Sequence, residues 1–150
     1  MASTRRLCDV NVLLALVYGC HEFHAHAVAW LDAIQDAHSV VVCRQTQMGL
    51  MRLLSTRVVM AEDIHSLSTC WDVFDAMMAD DRFLFQREPR ELEPALRRMM
   101  RSATPAPKLW QDAYLAAFAA SSGMQLVTFD RGFRQYADLD VLVLGAASRG

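Results

Sequence analysis

Little in this chain would hold it in a membrane, staple it covalently or gather zinc. No apolar run approaches the ~18 residues of a membrane span, and the longest, around Val10–Tyr18, is interrupted by Asn11. The opening residues Met1–Leu7 carry Arg5 and Arg6 and pass straight into Cys8 and Asp9. They lack the uninterrupted apolar stretch and small-residue cleavage site of a secretory signal, so a cytoplasmic protein with no membrane partner is expected. The four cysteines, Cys8, Cys20, Cys43 and Cys70, form no CxxC pair. Each sits among apolar residues, as reduced and buried cysteines do. His21, His24 and His26 cluster beside Cys20, but His24 and His26 cannot share a helix face, and the group reads as a polar helix entry. A large basic excess is also missing: 15 basic against 17 acidic residues leave a net charge of −2, unlike a passive nucleic-acid binder. Lysine is nearly absent, fourteen of the fifteen basic residues being arginine. Several cluster at Arg87, Arg90, Arg97, Arg98 and Arg101. The planar guanidinium fork suits phosphate, and a solvated helix face accounts for the cluster equally well.

What is present is enough apolar material for one core. With 150 residues, 53% of them hydrophobic, the chain buries roughly 68–70% of its unfolded surface and needs no covalent or metal staple to fold. Four short apolar runs, Leu7–Val10, Ser39–Cys43, Phe83–Phe85 and Gln125–Phe129, read as buried parallel strands, with Val141–Leu144 as a fifth. Such strands are continuous hydrophobic stretches rather than alternations. Between them lie helical patterns. His24–Ala37 puts Val28, Leu31 and Ile34 on one stripe; Gln47–Leu54 is strongly apolar; Asp63–Met78 carries Leu67, Trp71, Phe74 and Met78 at core-face spacing. Glu91–Arg101 and Lys108–Ser122 complete the set, with Gly123 at a C-terminal cap. Only Ser102–Pro107 resembles a linker. The expectation is a single domain over residues 1–150, α/β in class, a three-layer α/β/α sandwich around a parallel sheet of four to five strands.

In an open parallel sheet, ligands bind beyond the carboxyl ends of the strands, where strand order reverses. Asp9 closes the first strand and Asp130 the fourth; each is equally well a helix N-cap or turn former. A third acid, Asp112, lies more than a turn inside a helix opening near Pro107, too deep for a cap. It flanks a small-residue stripe, Ala113, Ala116 and Ala120, that would let the helix lie close on the sheet. Three carboxylates at one edge repel: at an effective dielectric of ~20, two charges ~4 Å apart cost about 4 kcal/mol. A hard divalent cation turns that repulsion into attraction. Carboxylate and water coordination is what Mg²⁺ and Mn²⁺ prefer, and such a site can activate water for phosphodiester hydrolysis.

Four blocks in order now resemble the PIN domain, and within it the VapC-type toxins of bacterial toxin–antitoxin pairs. They are Asp9-Val-Asn-Val-Leu-Leu-Ala-Leu, Thr46-Gln-Met-Gly-Leu-Met-Arg-Leu-Leu, Asp112-Ala-Tyr-Leu-Ala-Ala-Phe-Ala and Leu126-Val-Thr-Phe-Asp-Arg-Gly-Phe. The stretch His24–Leu31, with Trp30, is similar to the second helix of many such toxins. The resemblance spans Leu7 to Gly145. It implies an endoribonuclease that needs Mg²⁺ or Mn²⁺, with Asp9, Asp112 and Asp130 as catalytic and metal-binding acids. Thr128 matches a hydroxyl residue near the family's site. Asn11 matches a polar residue after the first Asp, with capping of the first helix as its other role. Family members carry a further acid at the start of the helix after the second strand, and here that position reads as Gln47. Gln47 shares a helical face with Leu50, Met51 and Leu54, so it points inward, and an amide oxygen can still ligate a metal or hold a water.

The resemblance also implies RNA as substrate, a cognate antitoxin as protein partner and a homodimer. Nine methionines and two apolar helices, Gln47–Leu54 and Asp63–Met78, serve an interface or fill the core equally well. The alternative reading is a catalytically silent PIN-like module that binds RNA or a protein. A haloacid-dehalogenase-like phosphatase needs a second Asp two residues after the first; Asn11 stands there instead.

Overall fold

The computed structural model describes residues 4–145. In chain order they form β1 (Arg6–Cys8), α1 (Val10–Val17), α2 (His24–Asp32), β2 (Val40–Val42), α3 (Arg44–Leu54), α4 (Arg57–Met60), α5 (Leu67–Met78), β3 (Phe83–Phe85), α6 (Leu92–Met100), α7 (Leu109–Ser121), β4 (Gln125–Thr128) and β5 (Val141–Val143). Short 3-10 turns lie at Ala61–Asp63 and Arg131–Gln135. All five strands are parallel, in the order β3-β2-β1-β4-β5.

Register explains the layers. Leu7 pairs across to Val41 and Leu126, and these three point into a core shared with α6 and α7. Their strand neighbours Cys8, Val40, Val42 and Val127 point the opposite way, into a core built with α1, α3 and α5. With both faces covered, the strands are apolar throughout, as parallel strands must be. The result is the expected α/β/α sandwich.

Helix boundaries depart from the sequence reading where local hydrogen bonds override hydrophobic period. Helix α2 stops at Asp32 instead of Ala37; the chain turns through His38, at φ 55°, into β2, and the Ser39 hydroxyl donates to the Asp36 carbonyl. Helix α3 opens at Arg44, three residues early, because the Thr46 hydroxyl accepts from Cys43 N. Helix α5 starts at Leu67 rather than Asp63, since Ser66 Oγ accepts from Thr69 N and caps it. Its inward stripe is Cys70, Phe74 and Met77. Leu67 and Trp71, expected in the core, are 74% and 50% exposed. Cys20 likewise faces solvent in the turn after α1, whereas Cys8, Cys43 and Cys70 are buried. His21 Nδ1 accepts from Phe23 N, and His24 Nδ1 donates to the Ala15 carbonyl, so both serve the entry to α2. Gly123 sits at φ 65° just past α7, the left-handed position that ends a helix without a Cβ clash. No helix among the described residues is long and apolar enough to cross a membrane.

Candidate functional site

Strand order reverses between β1 and β4: the chain moves from β1 out through β2 and β3, then returns to the other side of β1. The carboxyl ends of β1 and β4 therefore flank the crevice where a ligand binds in such sheets. A cleft of about 500 Å³ opens there, and its acidic lining is Asp9, Asp112 and Asp130.

Asp9 follows β1 in extended backbone and caps α1, its Oδ1 accepting from Val10 N at 2.7 Å. Its Oδ2 accepts the Thr128 hydroxyl at 2.8 Å. Thr128, the fully buried last residue of β4, also accepts from Asp130 N at 3.0 Å. One hydroxyl thus ties the two strand-end aspartates together. Asp130 in turn accepts from Gly132 N at 2.8 Å, and a Cβ at Gly132 would lie 3.0 Å from that carboxylate oxygen. Asn11 lines the cleft from inside α1 and does not cap it; its Oδ1 accepts from Phe129 N at 3.4 Å, holding the β4 exit against α1.

Asp112 comes from α7, which opens at Leu109, so it stands in the first turn and not beyond it as the sequence reading had it. Its side chain caps nothing. Ala113, Ala116 and Ala117 are fully buried, and these small residues let α7 lie close on the sheet and bring Asp112 to the strand ends. Burial, followed by the charges of Asp9 and Asp130, pushes the Asp112 carboxyl up to about 6, with Lys108 opposing. Asp9 is raised as well, first by burial, while its hydrogen bonds from Thr128 and Val10 pull the other way.

Gln47 does not line this cleft. It is 4% exposed, and its Oε1 accepts from the Arg44 guanidinium, which lies 4.8 Å from the Phe85 ring centroid. It therefore belongs to the β3 side of α3. The residues of α3 that reach the cleft are Gln45, Met48, Gly49, Arg52 and Leu53. Gln45 Nε2 donates to the Gln111 carbonyl at 3.3 Å, while its Oε1 is buried without a hydrogen bond. Gly49 permits the close approach of α3 to α1: a Cβ there would meet Val10 Cγ2 at 2.7 Å. Sequence reasoning passed over Gln45, Gly49 and Lys108. The last had a signal, being the only lysine and one helical turn before Asp112.

Among the described residues, no three His, Cys, Asp or Glu side chains stand close enough to hold a metal ion directly. Mg²⁺ keeps several waters and is commonly bound through one or two carboxylates. A lining in which Asp9, Asp112 and Asp130 supply the charged ligand oxygens, with no His or Cys beside them among the described residues and Lys108 and Arg52 as the cations, fits a hard hydrated cation and not a zinc-type site.

The family model of the PIN domain matches residues 6–139. The chain is 41% identical to Ribonuclease VapC41 of Mycobacterium tuberculosis over 142 residues, 92% of this chain and 97% of the relative. It is 30% identical to Ribonuclease VapC44 of the same organism over 144 residues, 85% of this chain and 87% of the relative. Among solved structures, Mycobacterium tuberculosis VapC20, a sarcin–ricin loop cleaving toxin, superposes at a TM-score of 0.67 with 17% identity, covering 91% of this chain and 98% of that one. Fold, strand-end acids and whole-length identity meet in one conclusion: the chain belongs to the PIN-domain family and, within it, to the VapC ribonucleases.

Proposed function

We propose that this protein is a Mg²⁺- or Mn²⁺-dependent endoribonuclease, the toxin of a bacterial toxin–antitoxin pair, which hydrolyses RNA phosphodiester bonds at the Asp9–Asp112–Asp130 cleft. The observation that carries the reading is the meeting of three acids at the sheet's switch point with Asp112 driven up to about 6. Asp9, Asp112 and Asp130 would hold the cation, in part through its bound waters and not all three directly. When bound, a divalent cation of this kind activates water and stabilises the leaving oxygen of the phosphodiester. The chain's own residues do the positioning. Thr128 fixes the Asp9 carboxylate through Oδ2 while Val10 N fixes Oδ1, so Asp9 cannot swing away. Among the described residues Asp112 accepts no side-chain hydrogen bond, unlike Asp9 and Asp130, which leaves it free to take a proton or a cation. Lys108, at the mouth of the cleft, offers a phosphate a point charge.

The same reading includes a cognate antitoxin that inhibits the enzyme, a cytoplasmic location and a homodimer. Val58 on α4 is 95% exposed, and with Leu67 and Trp71 on α5 it leaves large apolar side chains in water, which a second copy would cover. Monomeric light scattering at micromolar concentration would remove the homodimer.

The test is to incubate the purified protein with total RNA, with Mn²⁺ and with EDTA, and to map the cut ends. Discrete cuts that require Mn²⁺ and vanish in Asp9→Asn are expected. RNA binding without cleavage would leave the silent module in its place.

A further inference from the structure

A second groove, of about 1080 Å³, runs between α6 and α7 on the other side of α7 from the acidic cleft. The two openings use different stripes of one helix. Lys108, Gln111, Asp112 and Leu115 line the acidic cleft, while Trp110 and Tyr114, one turn apart, line the groove. Only the helix, about 10–12 Å across with its side chains, separates them.

The groove opposes an aromatic wall to a basic one. Helix α6 packs Leu92 and Ala95 into the core, turns Arg97 and Arg101 to the groove, and sends Arg98 to an adjoining opening. Arg90 joins them from the preceding loop. Two acids, Glu88 and Glu93, are also present, and Glu93 is taken up by Arg97 at 2.7 and 3.0 Å. Arg90, Arg98 and Arg101 make no side-chain hydrogen bond or ion pair among the described residues. Trp110 is 68% exposed and meets no other ring among the described residues. Free guanidinium groups beside an uncovered indole are the two elements that hold a single nucleic-acid strand, one for phosphates and one for a base face.

Resting on the RNA-cleavage reading above, we infer that this groove binds the single-stranded RNA flanking the scissile phosphate, with an unpaired base stacked on Trp110 and phosphates on Arg90 and Arg101. A strand whose scissile phosphate lies at the acidic cleft passes over the α7 N-terminus, past Lys108, and reaches Trp110 a few nucleotides away. Stacking is sequence-tolerant because every base has a π-face. The groove therefore supplies affinity and requires an unpaired strand. An acidic polypeptide would satisfy the arginines but leaves the open indole face without a purpose.

The test uses a 5′-fluorescein-labelled, mixed-sequence single-stranded 20-nucleotide RNA and fluorescence anisotropy in EDTA, so that nothing is cut. Trp110→Ala should weaken binding about tenfold or more, as loss of one stacked base does. Trp110→Phe should recover most of that loss. Arg90→Ala/Arg101→Ala should lower the slope of log affinity against log salt by about 1.4, at roughly 0.7 per phosphate contact on a single strand. All the substituted side chains are exposed, and unchanged melting confirms that the variants fold. Affinities within twofold of the parent together with an unchanged salt slope would overturn the inference. So would retained RNA binding with loss of poly-L-glutamate binding in the double arginine variant, which assigns the arginines to an acidic protein. A parent that cuts RNA while both groove variants bind normally removes the groove alone. A parent that never cuts, yet binds through Trp110, removes the nuclease reading and keeps the groove.

Discussion

The two sides of α7 carry opposite chemistry with opposite degrees of satisfaction. Toward the sheet switch point, Asp9 and Asp130 are tethered by Thr128, Val10 and Gly132, and Asp112 faces them from the helix. Toward α6, arginines and Trp110 stand in water with almost nothing to hold. The acidic side is rigid and strained by like charge; the basic side is loose and uncommitted. A phosphodiester enzyme needs both, since a fixed acidic site positions the reacting phosphate and an adaptable basic surface holds the rest of the strand. The formal charge of −2 averages over this division and conceals it.

Substitutions at the rigid side should have the largest effects. Asp9→Asn, Asp112→Asn and Asp130→Asn should each lower Mn²⁺-dependent cleavage of total RNA by about 10²-fold or more, in line with losing a preorganised group at developing charge. Asparagine can still cap, so the fold should survive. If the metal-free variants all melted well below the parent, the aspartates would be caps alone and the catalytic reading would fail.

Next comes the link between the two strand ends. Thr128→Val removes the hydroxyl that serves both Asp9 and Asp130 N. Leaving a buried carboxylate oxygen and an amide unpaired should cost about 1–3 kcal/mol, with cleavage reduced alongside. Thr128→Ser should restore both. Urea unfolding beside cleavage rates measures this, and a neutral Thr128→Val would show that the tether is incidental.

The repulsion around Asp112 should appear as a pH dependence of the metal-free protein. Its folded carboxyl titrates at about 6 against an ordinary 3.8, so between those values the folded state binds more protons than the unfolded one. Stability is then greatest below the unfolded value and falls as pH rises through about 6. Allowing for solvent screening of a half-exposed group, the loss is roughly 1–2 kcal/mol. Asp112→Asn should flatten that slope in thermal melts from pH 4 to 7 and melt about 2–6 °C higher at neutral pH. A parallel slope in parent and variant would place the titration elsewhere.

The smallest effect is expected at Gln47, which the family pattern puts at the site and the fold turns away from it. Gln47→Glu would give Arg44 a carboxylate partner, a gain offset by the desolvation of a buried carboxylate, with the Mn²⁺-induced rise in melting temperature unchanged from the parent. A larger metal-induced shift would return position 47 to the site.

Legibility in the sequence followed how locally each feature is specified. The strands were readable because burial on both sheet faces leaves no polar position in Val40-Val-Val or Leu126-Val. Asp9 and Asp130 were readable because strand ends are local signals, whereas Asp112 was read a turn too deep because the start of α7 is not marked by Pro107. Helix limits were not: Ser66 and Thr46 reset α5 and α3 through single hydrogen bonds, and apolar periodicity is blind to these. Leu67 and Trp71 were misread as core because α5 offers two overlapping apolar stripes, and only packing against α3 and the sheet selects Cys70, Phe74 and Met77.

Sequence by itself determined the alternation of strands with helices, the sandwich that follows from it, and the placing of Asp9 and Asp130 at the ends of β1 and β4. It could do so because hydrophobic period and strand-end position are properties of neighbours along the chain. Tertiary structure alone decided that Gln45 and Gly49, and not Gln47, face the acids. A rotation of two residues on a helix is about 200°, and only the contact of α3 with Val10 fixes which side turns inward. It also decided that Lys108 and Asp112 share one cleft while Trp110, between them in sequence, belongs to another, because a helix sends alternate residues to opposite sides.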